Sequence, residues 1–196
     1  MSATIPDATN VATVVYLNGV SSAGKSTLAR ALVGLMKEPY CLVSMDQFEG
    51  MAARRFPLPG ADQFYDDCLV PLIHHAAASF ARARLGVVLD MVVTKGEWLR
   101  DAARSLDGHR VFLLGVRCDV DELRRRERER GNRRIGVAER QLAYVHKAVE
   151  ELCGYDFEVD TTHMAAEECA QLIGRHLADG EAPRAFARVR QDGIVD

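Results

Sequence analysis

Five short, almost unbroken apolar runs separate stretches of helical periodicity, and that alternation restricts the chain to an α/β fold, a parallel sheet with helices on both faces. The runs are TVVYLN (13–18), CLVSM (41–45), VVLDMVV (87–93), VFLLGVRC (111–118) and DFEVD (156–160). A strand with one wet face would alternate apolar and polar residues. The first four are continuous or nearly so, as expected of strands buried on both sides, whereas DFEVD alternates. The helical stripes between them are Leu28, Leu32 and Leu35; Leu69, Leu72, Ile73, Ala76 and Phe80; Leu99, Ala103 and Leu106; Leu142, Val145, Val149 and Leu152; and Ala165, Cys169, Leu172 and Ile173. At 196 residues the chain suits one domain, 1–196, large enough for a sizeable core. From about Gly180 the periodicity weakens, and this C-terminal tail (about 180–196) reads as loosely held.

Composition narrows the function classes. With 25 Lys and Arg against 28 Asp and Glu the net charge is -3, so no nucleic-acid partner is indicated. The first residues carry no basic stretch leading into an apolar one, and no run reaches the roughly 18 apolar residues of a membrane span. A soluble, cytoplasmic protein with no membrane partner is expected. The five cysteines are widely spaced with no C-x-x-C pair, which favours reduced core thiols over zinc ligands or disulfides.

Residues 19–26 read GVSSAGKS, a match to G-x-x-x-x-G-K-[ST] placed between the first strand and the first helix. In that setting the glycines let successive backbone N–H groups turn inward at a helix N-terminus, which makes a cradle for anions. Gly19, Ser21, Ser22, Ala23, Gly24, Lys25, Ser26 and Thr27 are therefore the candidate binding residues for the phosphates of ATP, with Lys25 reaching the β/γ-phosphates. The Ser26 hydroxyl is a candidate ligand of Mg2+.

Three further signals surround this loop. Asp90 ends the apolar stretch VVLD and reads either as a second Mg2+ ligand or as a polar strand end. Asp46 ends the second strand, in CLVSMD, and so faces the crevice outside the carboxyl ends of the strands where open α/β sheets bind ligands. It reads either as a base that takes the proton of an attacking hydroxyl or as a helix N-cap. Between Arg124 and Arg140 lie eight arginines interleaved with Glu127, Glu129 and Glu139. Arg124, Arg125 and Arg128 suit a solvated helix face, with an i,i+4 pair between Glu122 and Arg126. Arg130, Arg133 and Arg134 flank Gly131-Asn132, where a closing loop would set guanidinium groups against a transferring phosphoryl group.

These motifs are similar to those of the chloramphenicol phosphotransferase family of P-loop kinases. The likeness covers about residues 14–178 and rests on LNGVSSAGKST, GVRCD (115–119), RERERGNRRIG (126–136), QLAYVH (141–146) and YDFEVDTTH (155–163). The resemblance implies a five-stranded parallel sheet of order 2-3-1-4-5 with an Arg-rich lid at about 126–138. It also implies transfer of the γ-phosphate of ATP to a hydroxyl of a small antibiotic. In that family the aspartate ending the second strand is the general base, which falls on Asp46, and lid arginines contact phosphates, which fall on Arg130 and Arg133. The stretch between Asp46 and Asp90 is shorter than the family's, and Met91 follows Asp90 where a second acid is common. The donor machinery thus carries over, whereas the hydroxylated small-molecule acceptor stays open. Arg54, Arg55, Phe48 and Phe56 lie in that stretch and suit a larger or more anionic acceptor, such as a nucleoside antibiotic. His163, after the fifth strand, reads as a turn residue or as a neighbour of the adenine. A zeta-toxin-like nucleotide-sugar kinase, a nucleoside or nucleotide kinase and a non-catalytic ATP-binding regulator are the competing readings.

Overall fold

The computed structural model describes residues 11–51, 61–130 and 136–192; of residues 61, 62 and 130 only the backbone is included. Its sheet has five parallel strands in the order β2-β3-β1-β4-β5. They are β1 (Thr13–Asn18), β2 (Tyr40–Ser44), β3 (Gly86–Met91), β4 (Arg110–Arg117) and β5 (Phe157–Asp160). The order and the parallel pairing are those the motifs imply.

Each strand of the centre is buried on both sides because its alternate residues feed two separate cores. Val14 and Tyr16 of β1 point to one, with α4 (Val70–Arg82), α5 (Gly96–Ser105) and α10 (Ala185–Asp192). Val15 and Leu17 point to the other, with α1 (Lys25–Leu35) and α9 (Ala166–Ala178). Leu28 and Leu32 of α1 are fully buried there, each contributing about 1.5–3 kcal/mol. The remaining helices are α2 (Met45–Met51), α3 (Ala61–Phe64), α6 (Val120–Arg130), α7 (Val137–Leu142) and α8 (Val145–Leu152). A π-helical turn, Tyr65–Leu69, joins α3 to α4.

Three expectations need correction. On α4 the stripe turns by about one position. Ile73, Ala77, Ala78 and Ala81 enter the core, while Leu72 (55 % exposed) and Phe80 (39 % exposed) face outward. The sequence is apolar on more than one side of that helix, so periodicity alone does not choose the buried face. The tail is not loosely held over 185–192: Ala185, Phe186 and Val189 of α10 are buried, and the Asp156 carboxylate accepts the N–H groups of Arg184 and Ala185 at 2.6 and 2.9 Å. Of the cysteines, Cys118, Cys153 and Cys169 are buried thiols, but Cys68 is exposed.

A polar chain runs out of the first core, from fully buried Tyr16 and His74 to half-buried Asp101. His74 Nε2 is 3.0 Å from the Tyr16 hydroxyl, and His74 Nδ1 is 2.6 Å from Asp101 Oδ2. Burial pushes the Tyr16 phenol up and the His74 imidazole down, so both are neutral at pH 7 and the chain ties β1 to α4 and α5.

Candidate active site

The glycine-rich loop sits at the carboxyl end of β1, and two of its glycines are sterically required. A Cβ on Gly19 would lie 2.5 Å from the Val116 carbonyl oxygen of β4. Gly24, at φ 86°, is the left-handed residue that opens α1, so that helix starts without a side-chain cap. Gly19→Ala is expected to destabilise the protein by about 1–3 kcal/mol, read in a denaturant melt, because the strand carbonyl has no room to retreat. A melt at the wild-type midpoint would contradict that packing.

Lys25 is the first residue of α1 and is 6 % exposed. Its Nζ donates to the Val20 carbonyl at 2.9 Å and stands 4.0 Å from Asp90 Oδ1. Next to it the Ser26 hydroxyl donates to Asp90 Oδ2 at 2.6 Å. Asp90 is the penultimate residue of β3, aligned with Leu17 on one side and Ser44 on the other. A hydroxyl and a carboxylate oxygen thus converge beside the loop, the donor set that a hard cation such as Mg2+ takes.

Asp46 does not end the second strand. The strand stops at Ser44, and Asp46 lies in the first turn of α2. Nor is it the cap, since Ser44 Oγ accepts the Gln47 N–H at 3.3 Å and Gln47 Oε1 accepts the Ser44 N–H at 3.0 Å. Asp46 instead lines a narrow cleft together with Ser21, Ser22, Lys25, Ser26 and Asp90. Across from it the Tyr65 hydroxyl donates to Glu49 Oε1 at 2.8 Å. Burial, Glu49 and the nearby Asp46 charge push the Tyr65 phenol up to about 12. The π-helical turn that carries Tyr65 also aims Asp66, which accepts from Trp98 Nε1 at 2.7 Å and from Lys95 at 2.5 Å.

On the other side of Gly24 a second cavity, about 370 Å³, is bounded by Thr27, Arg126, Thr161, Met164 and Ala166. Arg126 is held there by Glu122 Oε1 at 2.7 Å and by the Thr161 carbonyl at 2.5 Å. Arg124 pairs with Glu139 and Asp121, and Arg125 with Glu122 and Glu129, as a solvated helix face should. Glu127 departs from that pattern. It is 1 % exposed and accepts the N–H groups of Gly136 and Ala138 at 2.6 and 2.8 Å, capping α7 from α6. Arg133, Arg134, Arg54, Arg55 and Phe56 lie outside the described residues, and Arg130 is described only as the last backbone position of α6. His163 occupies an exposed bend after β5 and borders a different hollow, with Asp160 and Arg175.

Asn18 and Gln141 fall inside LNGVSSAGKST and QLAYVH, but neither motif assigns them a role. Asn18, fully buried, precedes Gly19; its Oδ1 accepts the Val93 N–H at 2.8 Å and its Nδ2 donates to the Tyr155 hydroxyl at 2.7 Å. Since the Tyr155 oxygen accepts from Asn18, its proton goes to His146 Nδ1, 2.8 Å away. His146 is therefore neutral, and burial together with Arg117 lowers it to about 4. The unfolded imidazole titrates near 6.5, so the unfolded chain binds the extra proton between those values. Stability is expected to hold above pH 6.5 and to fall by about 1–3 kcal/mol towards pH 4, a slope that His146→Gln flattens in pH-dependent melts. An equal slope in both proteins would count against it.

Comparison with known proteins gives the family and the fold. The model of the chloramphenicol phosphotransferase-like family matches residues 12–178. A protein of Mycobacterium tuberculosis, provisionally named an O-phosphotransferase, is 32% identical over 201 residues, covering 91% of this chain and 88% of its own. Among solved structures, the Deinococcus radiodurans tunicamycin resistance protein superposes with a TM-score of 0.63 at 16% identity, over 85% of this chain and 95% of that one. The Mycobacterium tuberculosis APS kinase CysC, solved with AMPPNP and APS, does so with a TM-score of 0.65 at 15% identity, over 85% and 98%. The chain has the fold of the P-loop kinases and belongs to the chloramphenicol phosphotransferase-like family of phosphotransferases.

Proposed function

We propose that this protein is an ATP-dependent kinase that moves the γ-phosphate of ATP to a hydroxyl of a small molecule. The observation that carries the reading is one cleft bordered by Lys25, Ser26, Asp90 and Asp46 at the mouth of the glycine-rich loop. The residues present fit the nucleotide. The loop offers backbone and a helix N-terminus where phosphates would sit, and the cavity beside Arg126 and Thr161 offers room for the nucleoside. They fit the metal too: Ser26 and Asp90 would hold Mg2+, which when bound supplies positive charge against the β- and γ-phosphate oxygens.

The remaining steps belong to the chain's own groups. Asp46 accepts the proton of the acceptor hydroxyl as that oxygen attacks the γ-phosphate and ADP leaves. Lys25 exchanges its hold on the Val20 carbonyl for phosphate oxygens and offsets their charge in the transition state. Arg130, Arg133 and Arg134 add guanidinium groups to the transferring phosphoryl.

For the acceptor we propose a hydroxylated antibiotic, of chloramphenicol or nucleoside type, whose phosphorylation confers resistance in the cytoplasm. Support comes from the family and from the fold shared with a tunicamycin resistance protein. No helix among the described residues is long and apolar enough to cross a membrane. Incubation with ATP labelled at the γ-phosphate, across a panel of hydroxylated antibiotics, tests this directly. Stoichiometric label on one of them is expected. Label on UDP-N-acetylglucosamine or on a nucleoside would replace the antibiotic, and ATP binding with no transfer to any acceptor would reduce the protein to a regulator.

A further inference from the structure

The segment 141–146, from the end of α7 into the first turn of α8, touches the root of the phosphate loop at three points. Gln141 Oε1 accepts the Ser21 N–H at 2.6 Å, and the Val145 carbonyl accepts from Asn18 Nδ2 at 3.3 Å. His146 takes the proton of the Tyr155 hydroxyl to which Asn18 also donates. None of Gln141, Val145 and His146 lines the cleft between Lys25 and Asp46. Their contacts run instead to the backbone and side chains that set the loop's direction.

The loop needs such a hold. Ser22 has a left-handed φ of 62° without being glycine, and Gly24 follows at 86°. Backbone of this kind persists only where its surroundings over-determine it. The Val20–Ser21 peptide, whose N–H is that of Ser21, leads into that turn, and Ser21 is only 2 % exposed, so leaving this N–H without an acceptor is costly. Gln141 supplies the acceptor from outside the turn. The amides that follow stay directed at the helix N-terminus.

We infer that Gln141 is a positioning residue for phosphate binding: its side-chain carbonyl fixes the Ser21 N–H and so holds the cradle in its binding shape before any nucleotide arrives. The inference rests on the proposed reading that this loop binds a triphosphate. Two variants of similar length separate the hydrogen bond from mere packing, because Gln141→Met removes the acceptor whereas Gln141→Glu keeps one. In the full chain without ligand, amide exchange at Ser21 is measured by NMR. Binding of inorganic tripolyphosphate is then measured by calorimetry. For Gln141→Met, exchange at Ser21 is expected to speed up about tenfold and tripolyphosphate to bind about tenfold more weakly, the worth of one hydrogen bond. For Gln141→Glu, exchange at Ser21 stays slow. Wild-type exchange and affinity in Gln141→Met, or equally fast exchange in both variants, would overturn the assignment. Should Gln141→Met not fold, Gln141→Asn, one methylene too short to reach, carries the same comparison. A wild-type protein that binds neither ATP nor tripolyphosphate defeats the functional reading instead, and is recognised because Ser21 exchange still differs between the Met and Glu variants.

Discussion

Asp46→Asn is expected to lower turnover by about 10²–10⁴ while ATP binds as it does to the wild type. Asparagine has nearly the same shape but cannot take a proton from the acceptor hydroxyl. The variant should fold, because the cap of α2 is made by Ser44 and Gln47 and owes nothing to Asp46. What is lost is a negative charge in the first helical turn, worth about 0.3–1 kcal/mol of stability. Steady-state phosphate transfer and a calorimetric ATP titration on the same preparation read the two halves apart. Unchanged turnover would remove Asp46 from the chemistry, and lost ATP binding would move it to the donor side of the cleft.

The second large effect belongs to Lys25. Among the described residues lining the cleft it is the sole cation, and it is buried against two carbonyl or carboxylate oxygens. Lys25→Ala removes a preorganised charge aimed where phosphate charge develops, and a loss of about 10²–10³ in kcat/KM is expected. The affinity for ATP should fall as well, since the Asp90 carboxylate would face the phosphates with its charge less balanced. An ATP titration indistinguishable from the wild type would contradict the role. Lys25→Arg is no remedy, because a planar guanidinium does not replace a compact ammonium at a site shaped by the Val20 carbonyl and Asp90.

Most of the sheet was legible from residue patterns because burial on both faces leaves a continuous apolar run in β1 to β4, and these runs, like the alternating stretch at the half-exposed β5, fall within one or two residues of the strands. The phosphate loop was legible for a different reason. Its glycines answer to local sterics, a carbonyl 2.5 Å from a Cβ at Gly19 and a left-handed turn at Gly24, which any sequence must satisfy. Residues whose roles depend on distant partners were not. Glu127 looks like one more acid in a charged run, and only the return of the chain at Gly136 makes it a buried cap. Arg126 was legible as a partner of Glu122 but not as the residue that clamps Thr161 beside Gly24. Gln141 lies 120 positions from Ser21, and no local pattern marks that meeting. Likewise α4 has apolar residues around most of its circumference, so Leu72 and Phe80 gave no hint that they face water.

The position of β1 at the middle of the sheet has a consequence for biosynthesis. Its neighbours are β3 and β4, so a nascent chain that has already exposed GVSSAGKS must wait until Arg117 has left the ribosome before that strand is flanked. The part of the molecule translated early is thereby completed late, and nucleotide added during synthesis would find no receptor on a chain halted before β4.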